Sequence, residues 1–439
     1  MLIGYVLIFC VAYTLDYRLP IDSVRMLTFL RCVLLFAACC YLIALRRKLA
    51  ACLDPFAACI LAIIVVGAVS GLFGGADRFA YLRHAFQYSF LLAFYLVGRE
   101  IGTRPIREPA VKFLSIAILT GYAIAAVTFA LTPGLQSGSY SYQPNLALLA
   151  VSYGASAGRW IMVALGSLLI IIGNKRAVYL ALALLLAIAL ALRLERKPSW
   201  QLRTVVVAMA APAIGFVLAF IVLQVSMLLG APTASSVVAR FNVESTLYGD
   251  TEGTEVPGTA RAPEGSQAPT SANSMRKESS PQKPKVDPIV RFTSARNIEF
   301  EAVWEMARQG PAEAVFGRGL GSQFTMKYIS PTEHKLLQYD RDQADVAPVH
   351  IALTSGIPLA AVFTALYCGM LLMIFVRIDQ VEGADRALAM FSISIALDVM
   401  LGFNPTNPLC WLALGAISRR LLPEFSLAPA GWLWRRSIG

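Results

Sequence analysis

Residues 349–376 read VHIALTSGIPLAAVFTALYCGMLLMIFV and contain no Asp, Glu, Lys or Arg. A helix needs about 20 predominantly apolar residues to cross a bilayer, so this stretch is long enough to do so. The whole chain of 439 residues is similar, with 57% hydrophobic residues, 15% charged residues and a mean hydropathy of +0.62. Soluble domains average about 45–50% apolar and roughly 25% charged residues. The composition therefore excludes a soluble globular protein and predicts a polytopic membrane protein.

The apolar runs predict an all-α integral membrane protein with about 12 transmembrane helices. The run 146–172 is too long for one helix and slightly short for two. We divide it at Gly158, because one long tilted helix would reduce the count to eleven. The first run follows Met1 almost directly, without a basic leader, which predicts a retained helix and no cleaved signal. The runs lie at 2–16, 26–45, 51–73, 84–98, 110–132, 146–158, 160–172, 177–192, 204–230, 349–376, 387–403 and 408–418.

The distribution of basic residues predicts the orientation, because cytoplasmic loops carry an excess of Lys and Arg. With twelve spans and the N-terminus inside, the cytoplasmic segments would hold about three times as many Lys and Arg residues as the short outer loops. Both termini are therefore expected in the cytoplasm. We attribute the formal net charge of +11 to these loops and not to nucleic-acid binding.

One connection is much longer than the others and divides the chain into three parts. Residues 1–230 contain nine predicted helices, 231–348 form a large periplasmic loop, and 349–439 contain three helices and a cytoplasmic tail. Within the loop, 251–288 is rich in Pro, Gly, Ser, Thr and charged residues, which predicts disorder.

Residues 295–311 of the same loop predict an amphipathic helix. Apolar residues recur at positions i, i+3, i+4 and i+7, and the opposite face is charged. Such a helix is expected to lie on the membrane surface or across the mouth of the bundle. The apolar face comprises Phe300, Val303, Trp304 and Ala307, and the charged face comprises Glu301, Glu305 and Arg308.

Two histidines lie at predicted outer ends of helices. His350 lies where the outer loop re-enters the membrane, with one side expected to be wet. An imidazole there can take a proton near neutral pH, which makes His350 a candidate general base. His84, next to Arg83, begins the fourth span, and both could supply additional polar contacts. Either histidine could instead be an ordinary interfacial residue.

Three arginines are candidates for binding an anion. Arg176 lies between two apolar runs, where a cation is costly unless it meets an anion or lines a wet cavity, although it could also snorkel. Arg296 opens the amphipathic helix, and its planar donor fork suits phosphate, although a plain surface role is the common alternative. Arg318 lies in FGRGLGSQF (316–324), whose glycines follow a helix and no strand, so a dinucleotide-binding fold is excluded.

The remaining polar residues indicate no metal chemistry. Asp398 falls within an apolar run, where pairing with an arginine such as Arg31 is favoured over ion coupling. The eight cysteines lie in or beside apolar runs, so neither a disulfide framework nor a metal site is predicted.

Three segments resemble the O-antigen ligase and O-antigen polymerase superfamily. GNKRAVYLALALLLAIAL (173–190) is similar to its span that opens with Ser-Arg-Gly. ARNIEFEAVWEMARQGPAEAVFGRGLGSQF (295–324) resembles its loop motif of arginine, amphipathic helix, proline and Gly-x-Gly, and VHIALTSGIPLAAVF (349–363) resembles its His-Asn segment. The resemblance covers roughly residues 170–376 in detail and the rest only in hydropathy.

The resemblance implies a GT-C-like bundle in the bacterial inner membrane that acts at the periplasmic face. It implies transfer of a glycan from an undecaprenyl-diphosphate-linked donor to a hydroxyl of a glycan or lipid A-core acceptor, without cofactor or catalytic metal. Arg176 and Arg296 would then bind the diphosphate, Arg318 would be a further diphosphate-binding residue, and His350 would be the catalytic base.

The chain departs from the family pattern at several positions. Lys175 and Ala177 replace the serine and glycine around the first arginine, Ile351 replaces the asparagine after the histidine, and extra residues follow Pro311 before the Gly-x-Gly. Because the arginines and His350 remain, these differences affect the identity of the glycan more than the chemistry.

Within the superfamily, a ligase is favoured over a polymerase of O-antigen or exopolysaccharide. Polymerases of this type commonly have two sizeable outer loops, whereas the connection TPGLQSGSYSYQPN (132–145) is short. A secondary transporter or flippase is the alternative from a different class, and it would be expected to have two related halves and charged sites near the bilayer midplane.

Overall fold

The computed structural model describes residues 4–10, 23–45, 52–74, 76–130, 144–173, 175–196, 201–228, 288–329, 336–403 and 405–423, and this part of the protein is nearly all helical. Residues 4–10 are helical. The elements that follow are α1 (Ser23–Ala44), α2 (Pro55–Phe73), α3 (Arg78–Ile101), α4 (Glu108–Ala130), α5 (Ala147–Ala157), α6 (Trp160–Ile172), α7 (Arg176–Arg196), α8 (Gln201–Leu228), α9 (Pro288–Gln309), α10 (Pro311–Phe316), β1 (Phe324–Ile329), β2 (Leu336–Arg341), α11 (Ala347–Ser355), α12 (Ile357–Val376), α13 (Gly383–Ser394), α14 (Ala396–Leu401) and α15 (Pro408–Leu421).

Four helices of the described residues are long and apolar enough to cross a membrane, in keeping with an all-α membrane protein. The other predicted runs are largely helical where the structure describes them, but they do not meet both criteria. Twelve crossings therefore remain a prediction. The four spans are Met26–Ala44 in α1, Pro55–Phe73 in α2, Glu108–Val127 in α4 and Ile357–Val376 in α12.

The stretch 146–172 forms two short helices, as predicted. α5 ends at Gly158, whose φ of 71° reverses the chain, and α6 packs back along α5. Gly173 lies against Pro144, which closes the hairpin at its other end. At about 1.5 Å per residue, helices of 11 and 13 residues are shorter than the roughly 30 Å hydrocarbon core of a bilayer.

The run 349–376, predicted as one helix, is broken at Gly356. This glycine has a φ of 93°, and a Cβ atom placed on it would lie 1.9 Å from the carbonyl oxygen of Val315 in α10. Only glycine combines this backbone conformation with so close an approach. The break separates the nine-residue helix α11, which carries His350, from α12, which is long and apolar enough to cross a membrane.

Basic residues gather at the end of the bundle where α3, α13 and α15 lie close together, and we call this the basic end. Arg377 donates to the carbonyl oxygen of Leu421 at 2.8 Å, and Arg420 lies 3.5 Å from the Asp385 carboxylate. Burial raises the pKa of Asp385, against the opposing effects of the Ile106 N–H and Arg420. Three of the segments predicted to be cytoplasmic therefore meet at this end of the described bundle.

Arg99, which the charge count assigns to a cytoplasmic loop, is instead fully buried near the basic end. Its guanidinium pairs with the Asp54 carboxylate, which also caps the start of α2. The Tyr95 hydroxyl donates to the same carboxylate at 2.6 Å and lies 3.2 Å from the Ser418 hydroxyl. A buried charge is tolerated only when it is paired and hydrogen-bonded in this way.

The amphipathic helix of the long loop is α9, which begins seven residues before the predicted start at 295. Its packed face is not the predicted apolar one. Phe300 and Trp304 are 54% and 61% exposed, whereas Glu299, Ala302 and Met306 are buried. The packed face is therefore rotated by roughly a third of a turn from the apolar face.

A β-hairpin that the sequence analysis did not predict follows α9 and α10. β1 and β2 are antiparallel, with Phe324 opposite Arg341 and Ile329 opposite Leu336. The stretch 251–287, predicted to be disordered, lies outside the described residues, while residue 288 begins α9.

Candidate active site

A segment with three glycines, 317–321, crosses the end of the bundle opposite the basic end. Gly317, Gly319 and Gly321 all have positive φ angles, between 71° and 93°. A Cβ atom on Gly319 would lie 2.0 Å from the backbone nitrogen of Gly71 in α2. The glycines are therefore needed because backbone packs directly against backbone. We call 317–321 the glycine segment.

The glycine segment joins three helices through its backbone N–H groups. Arg318 donates to the carbonyl oxygen of Leu353 in α11 at 2.8 Å, and Leu320 donates to that of Gly67 in α2 at 2.8 Å. The third helix is α3, whose His84 accepts a hydrogen bond from Gly321. Because these N–H groups donate to other parts of the protein, they are not available to bind a phosphate.

The hydrogen bond from Gly321 holds the ring of His84 in place. The N–H of Gly321 donates to Nδ1 of His84 at 2.9 Å, and His84 is fully buried. A ring nitrogen that accepts a hydrogen bond carries no proton, so neutral His84 has its proton on Nε2.

His350 lies against His84 at this end of the bundle, which we call the histidine end. The ring centroids of the two histidines are 4.8 Å apart, with the rings nearly perpendicular. His350 also stacks on Tyr88 at 5.9 Å and contacts Phe403 at 5.5 Å. Tyr88 lies one turn after His84 in α3, and its hydroxyl is 3.3 Å from that of Thr354.

The expectation that one side of His350 is wet is wrong. His350 is only 1% exposed, because the rings of His84, Tyr88 and Phe403 cover it. The Nε2 atoms of both His84 and His350 are buried and make no hydrogen bond with any described residue. Buried polar atoms are almost always paired, so we take the two unpaired nitrogens in these contacting rings as the candidate site for a polar group.

Glu299 positions the helix of His350, although it is not among the site residues predicted from the sequence. Its carboxylate accepts hydrogen bonds from the N–H groups of Asp345 and Val346, both at 3.1 Å, just before α11 begins. A carboxylate at this end of a helix also stabilises the helix dipole. Glu299 lies on the same helical face as Ala302 and Met306. This spacing of i, i+3 and i+7 is the sequence signal that could have identified Glu299 as a packed residue.

Arg318 and Arg83, two of the candidate residues, are engaged with neighbouring side chains. Arg318 donates to Glu313 at 3.3 Å and to Gln309 at 2.5 Å. Arg83 pairs with Asp342, which ties the segment after β2 to α3. Arg83 therefore fixes the segment after β2 beside the histidine pair.

A groove of about 990 Å³ runs beside the glycine segment, between α2 and α10. Its α2 wall includes Val65, Val69 and Phe73, and Phe73 is 89% exposed. Its polar lining includes Glu313 and Arg318. An apolar wall that faces out of the bundle and a polar end suit an amphipathic lipid.

The other two arginines are placed only by their backbones, because the side chains of Arg176 and Arg296 lie outside the described part. Arg176 begins α7, and Arg296 lies one turn before Glu299 in α9. Both helices reach the histidine end: α9 through Glu299, and α7 through the ion pair of Lys175 with Asp398.

Asp398 does not pair with Arg31, as the sequence analysis expected. Its carboxylate pairs with Lys175 and accepts a hydrogen bond from Asn145 at 3.0 Å. Arg31 instead donates to the hydroxyl of Tyr5 at 3.4 Å. The predicted structural role of Asp398 agrees with these contacts, although the predicted partner is wrong.

Among the residues that the structure describes, no group of three or more His, Cys, Asp and Glu side chains could hold a metal ion. Comparison of the chain with protein-family models, with curated proteins and with solved structures finds no match. The resemblance to the O-antigen ligase and polymerase superfamily therefore remains a prediction from three segments of the sequence.

Proposed function

We propose that this protein transfers a glycan from an undecaprenyl-diphosphate carrier to an acceptor hydroxyl, with His350 as general base. The observation that carries the proposal is the meeting of three distant segments at the histidine end. The start of α7, the stretch from α9 through the glycine segment, and α11 all reach this end, where the Nε2 atom of His350 is unpaired. These segments are the same three that carry the family resemblance.

The reaction assigns each group a chemical task. The acceptor hydroxyl gives its proton to Nε2 of His350 as its oxygen attacks the anomeric carbon of the donor sugar. The bond between that carbon and the diphosphate oxygen breaks, and the diphosphate leaves on its carrier. Arg176 and Arg296 stabilise the negative charge that develops on the leaving group.

Access of the acceptor requires the cover over His350 to move, because the imidazole is 1% exposed. Phe403 is one of the rings that cover it, and the segment after β2 holds Phe403. This segment is held by the pairing of Arg83 with Asp342 and by Gln343, which contacts Gln87 at 3.2 Å and the carbonyl oxygen of Phe403 at 3.0 Å. Opening and closing of such segments excludes water during transfer.

The groove beside the glycine segment supports a lipid-linked donor. Its apolar wall is part of α2, which is long and apolar enough to cross a membrane. A polyprenyl chain can therefore lie there while remaining in contact with lipid. Arg318 at the polar end would then reach the diphosphate after exchanging its contacts with Glu313 and Gln309. The histidine end is accordingly assigned to the periplasmic side of the bacterial inner membrane, with both termini cytoplasmic.

Deletion of the protein tests the function in cells. Lipopolysaccharide gels and an assay of secreted polysaccharide distinguish the possibilities: unattached long chains indicate a ligase, and single repeat units indicate a polymerase of O-antigen or exopolysaccharide. Unchanged glycans contradict the proposal and favour a transporter.

Purified components test the site. With carrier-linked glycan and acceptor extracted from deletion cells, His350→Ala should lower transfer by about 10²–10⁴-fold. Arg176→Lys and Arg296→Lys should also reduce it strongly, because lysine lacks the planar donor fork. Near-normal turnover of His350→Ala would remove this histidine from the mechanism.

A further inference from the structure

His84 touches His350 but is not part of the mechanism proposed above. Its Nδ1 atom is occupied by the Gly321 N–H at 2.9 Å, which leaves the proton of the neutral ring on Nε2. That Nε2–H is fully buried and has no hydrogen-bond partner among the described residues. A donor in this position is costly to bury unless a bound group pairs with it.

The two histidines present complementary atoms. Neutral His84 offers an Nε2–H donor, and His350, acting as base, must offer an unprotonated Nε2 acceptor. Their rings are in direct contact, with centroids 4.8 Å apart, and both Nε2 atoms are buried and unpaired. A hydroxyl group can satisfy both atoms at once, because its oxygen accepts one hydrogen bond while its hydrogen is donated to the other atom.

We propose that His84 is a second catalytic residue, whose Nε2–H donates to the acceptor oxygen while Nε2 of His350 removes the proton of the same hydroxyl. This inference rests on the proposed function. The Nε2–H of His84 fixes the direction of the O–H bond before attack. The proton moves from the acceptor oxygen to His350, and His84 keeps its own.

The other polar side chains near the two histidines do not supply this hydrogen bond. Arg83 precedes His84 but pairs with Asp342, and Tyr88 directs its hydroxyl toward Thr354. Glu299 accepts from the backbone before α11 and holds no side chain of the pair. Within the described residues, the Nε2–H of His84 is therefore an unpaired donor in the ring that contacts His350.

Two substitutions separate this role from a purely structural one. His84→Asn keeps an acceptor near the position of Nδ1, so it preserves the bond from Gly321 but loses the donor at Nε2. His84→Gln places an amide N–H near Nε2 but gives up the acceptor at Nδ1. If the role of His84 is only structural, the protein needs the acceptor at Nδ1. If His84 is catalytic, the protein needs the donor at Nε2.

The test measures transfer by the full-length protein with donor and acceptor glycolipids extracted from deletion cells. We expect kcat to fall about 10²-fold in His84→Asn with the donor KM unchanged, because the orientation of the hydroxyl is lost, and to fall less than tenfold in His84→Gln. Higher turnover in Asn than in Gln, or wild-type turnover in His84→Asn, overturns the inference.

Three further outcomes can be distinguished. If His84→Gln does not reach the membrane, His84→Asn decides alone: loss of kcat with an unchanged donor KM agrees with the proposal, and wild-type kcat refutes it. If the wild-type protein transfers no glycan, the proposed function fails and this inference fails with it. If the wild type and His84→Asn are both active while His350→Ala is not, only the role of His84 is wrong.

Discussion

Glu299 should control the position of His350, and its removal gives the sharpest test of the architecture of the site. Glu299→Ala removes a buried carboxylate that accepts two N–H groups, those of Asp345 and Val346, at 3.1 Å each. Hydrogen bonds to charged groups contribute about 1.5–3 kcal/mol each, but two bonds to one carboxylate are not additive. We expect the docking of α9 on α11 to weaken by about 3 kcal/mol, which is roughly a 10²-fold change in equilibrium.

Hydrogen exchange of the detergent-solubilised protein measures this change without reference to activity. The amides of Asp345 and Val346 should exchange up to about 10²-fold faster in Glu299→Ala and several-fold faster in Glu299→Gln, which keeps one neutral acceptor. Glu301→Ala is the matched control, because Glu301 is exposed in the same helix. Glycan transfer should fall in parallel with the loss of protection.

Two results would refute this reasoning at different points. Unchanged exchange at residues 345 and 346 in Glu299→Ala would show that the carboxylate does not hold the start of α11. Faster exchange with wild-type transfer would show that α9 docks as described but that the position of His350 does not depend on it.

Three further predictions concern the glycine segment and the long loop. Gly319→Ala should lower the yield and thermal stability of the folded protein, because its Cβ atom would lie 2.0 Å from the nitrogen of Gly71, whereas Gly310→Ala, with no atom within 4 Å, should be tolerated. A cysteine at Thr270 on a cysteine-free background should be labelled from the periplasmic side, and labelling only from the cytoplasm would reverse the assigned orientation. Replacement of 251–287 by a short flexible linker should leave transfer largely intact, and lost activity with normal membrane levels would show that this stretch contributes to substrate binding.

Local sequence properties were sufficient to predict the class of protein and several of its secondary-structure elements. A long apolar run such as 349–376 can be buried only in a membrane or a large core, and a share of charged residues of only 15% argues against a soluble domain. The turn at Gly158 and the helical spacing from 295 onward follow from local backbone and side-chain preferences, which act within a few residues. His350 was singled out because it lies beside an apolar run.

Only the tertiary structure decided what these residues contact. His84 and His350 are 266 positions apart in the chain, and no local pattern relates them. The same limit applies to the glycine segment, whose need for glycine depends on α2, which packs against it, and to Asp398, whose partner is Lys175.

The packed face of α9 shows why a local sequence pattern does not determine which residues come into contact. An apolar pattern measures only the preference of side chains to leave water, and a membrane protein offers two apolar surroundings, lipid and protein. Phe300 and Trp304 satisfy the pattern but remain exposed on the bundle, whereas the small Ala302, the flexible Met306 and the charged Glu299 fit against α11 and β1. Which face packs is decided by shape and by hydrogen bonds to another segment, and these exist only once the chain has folded.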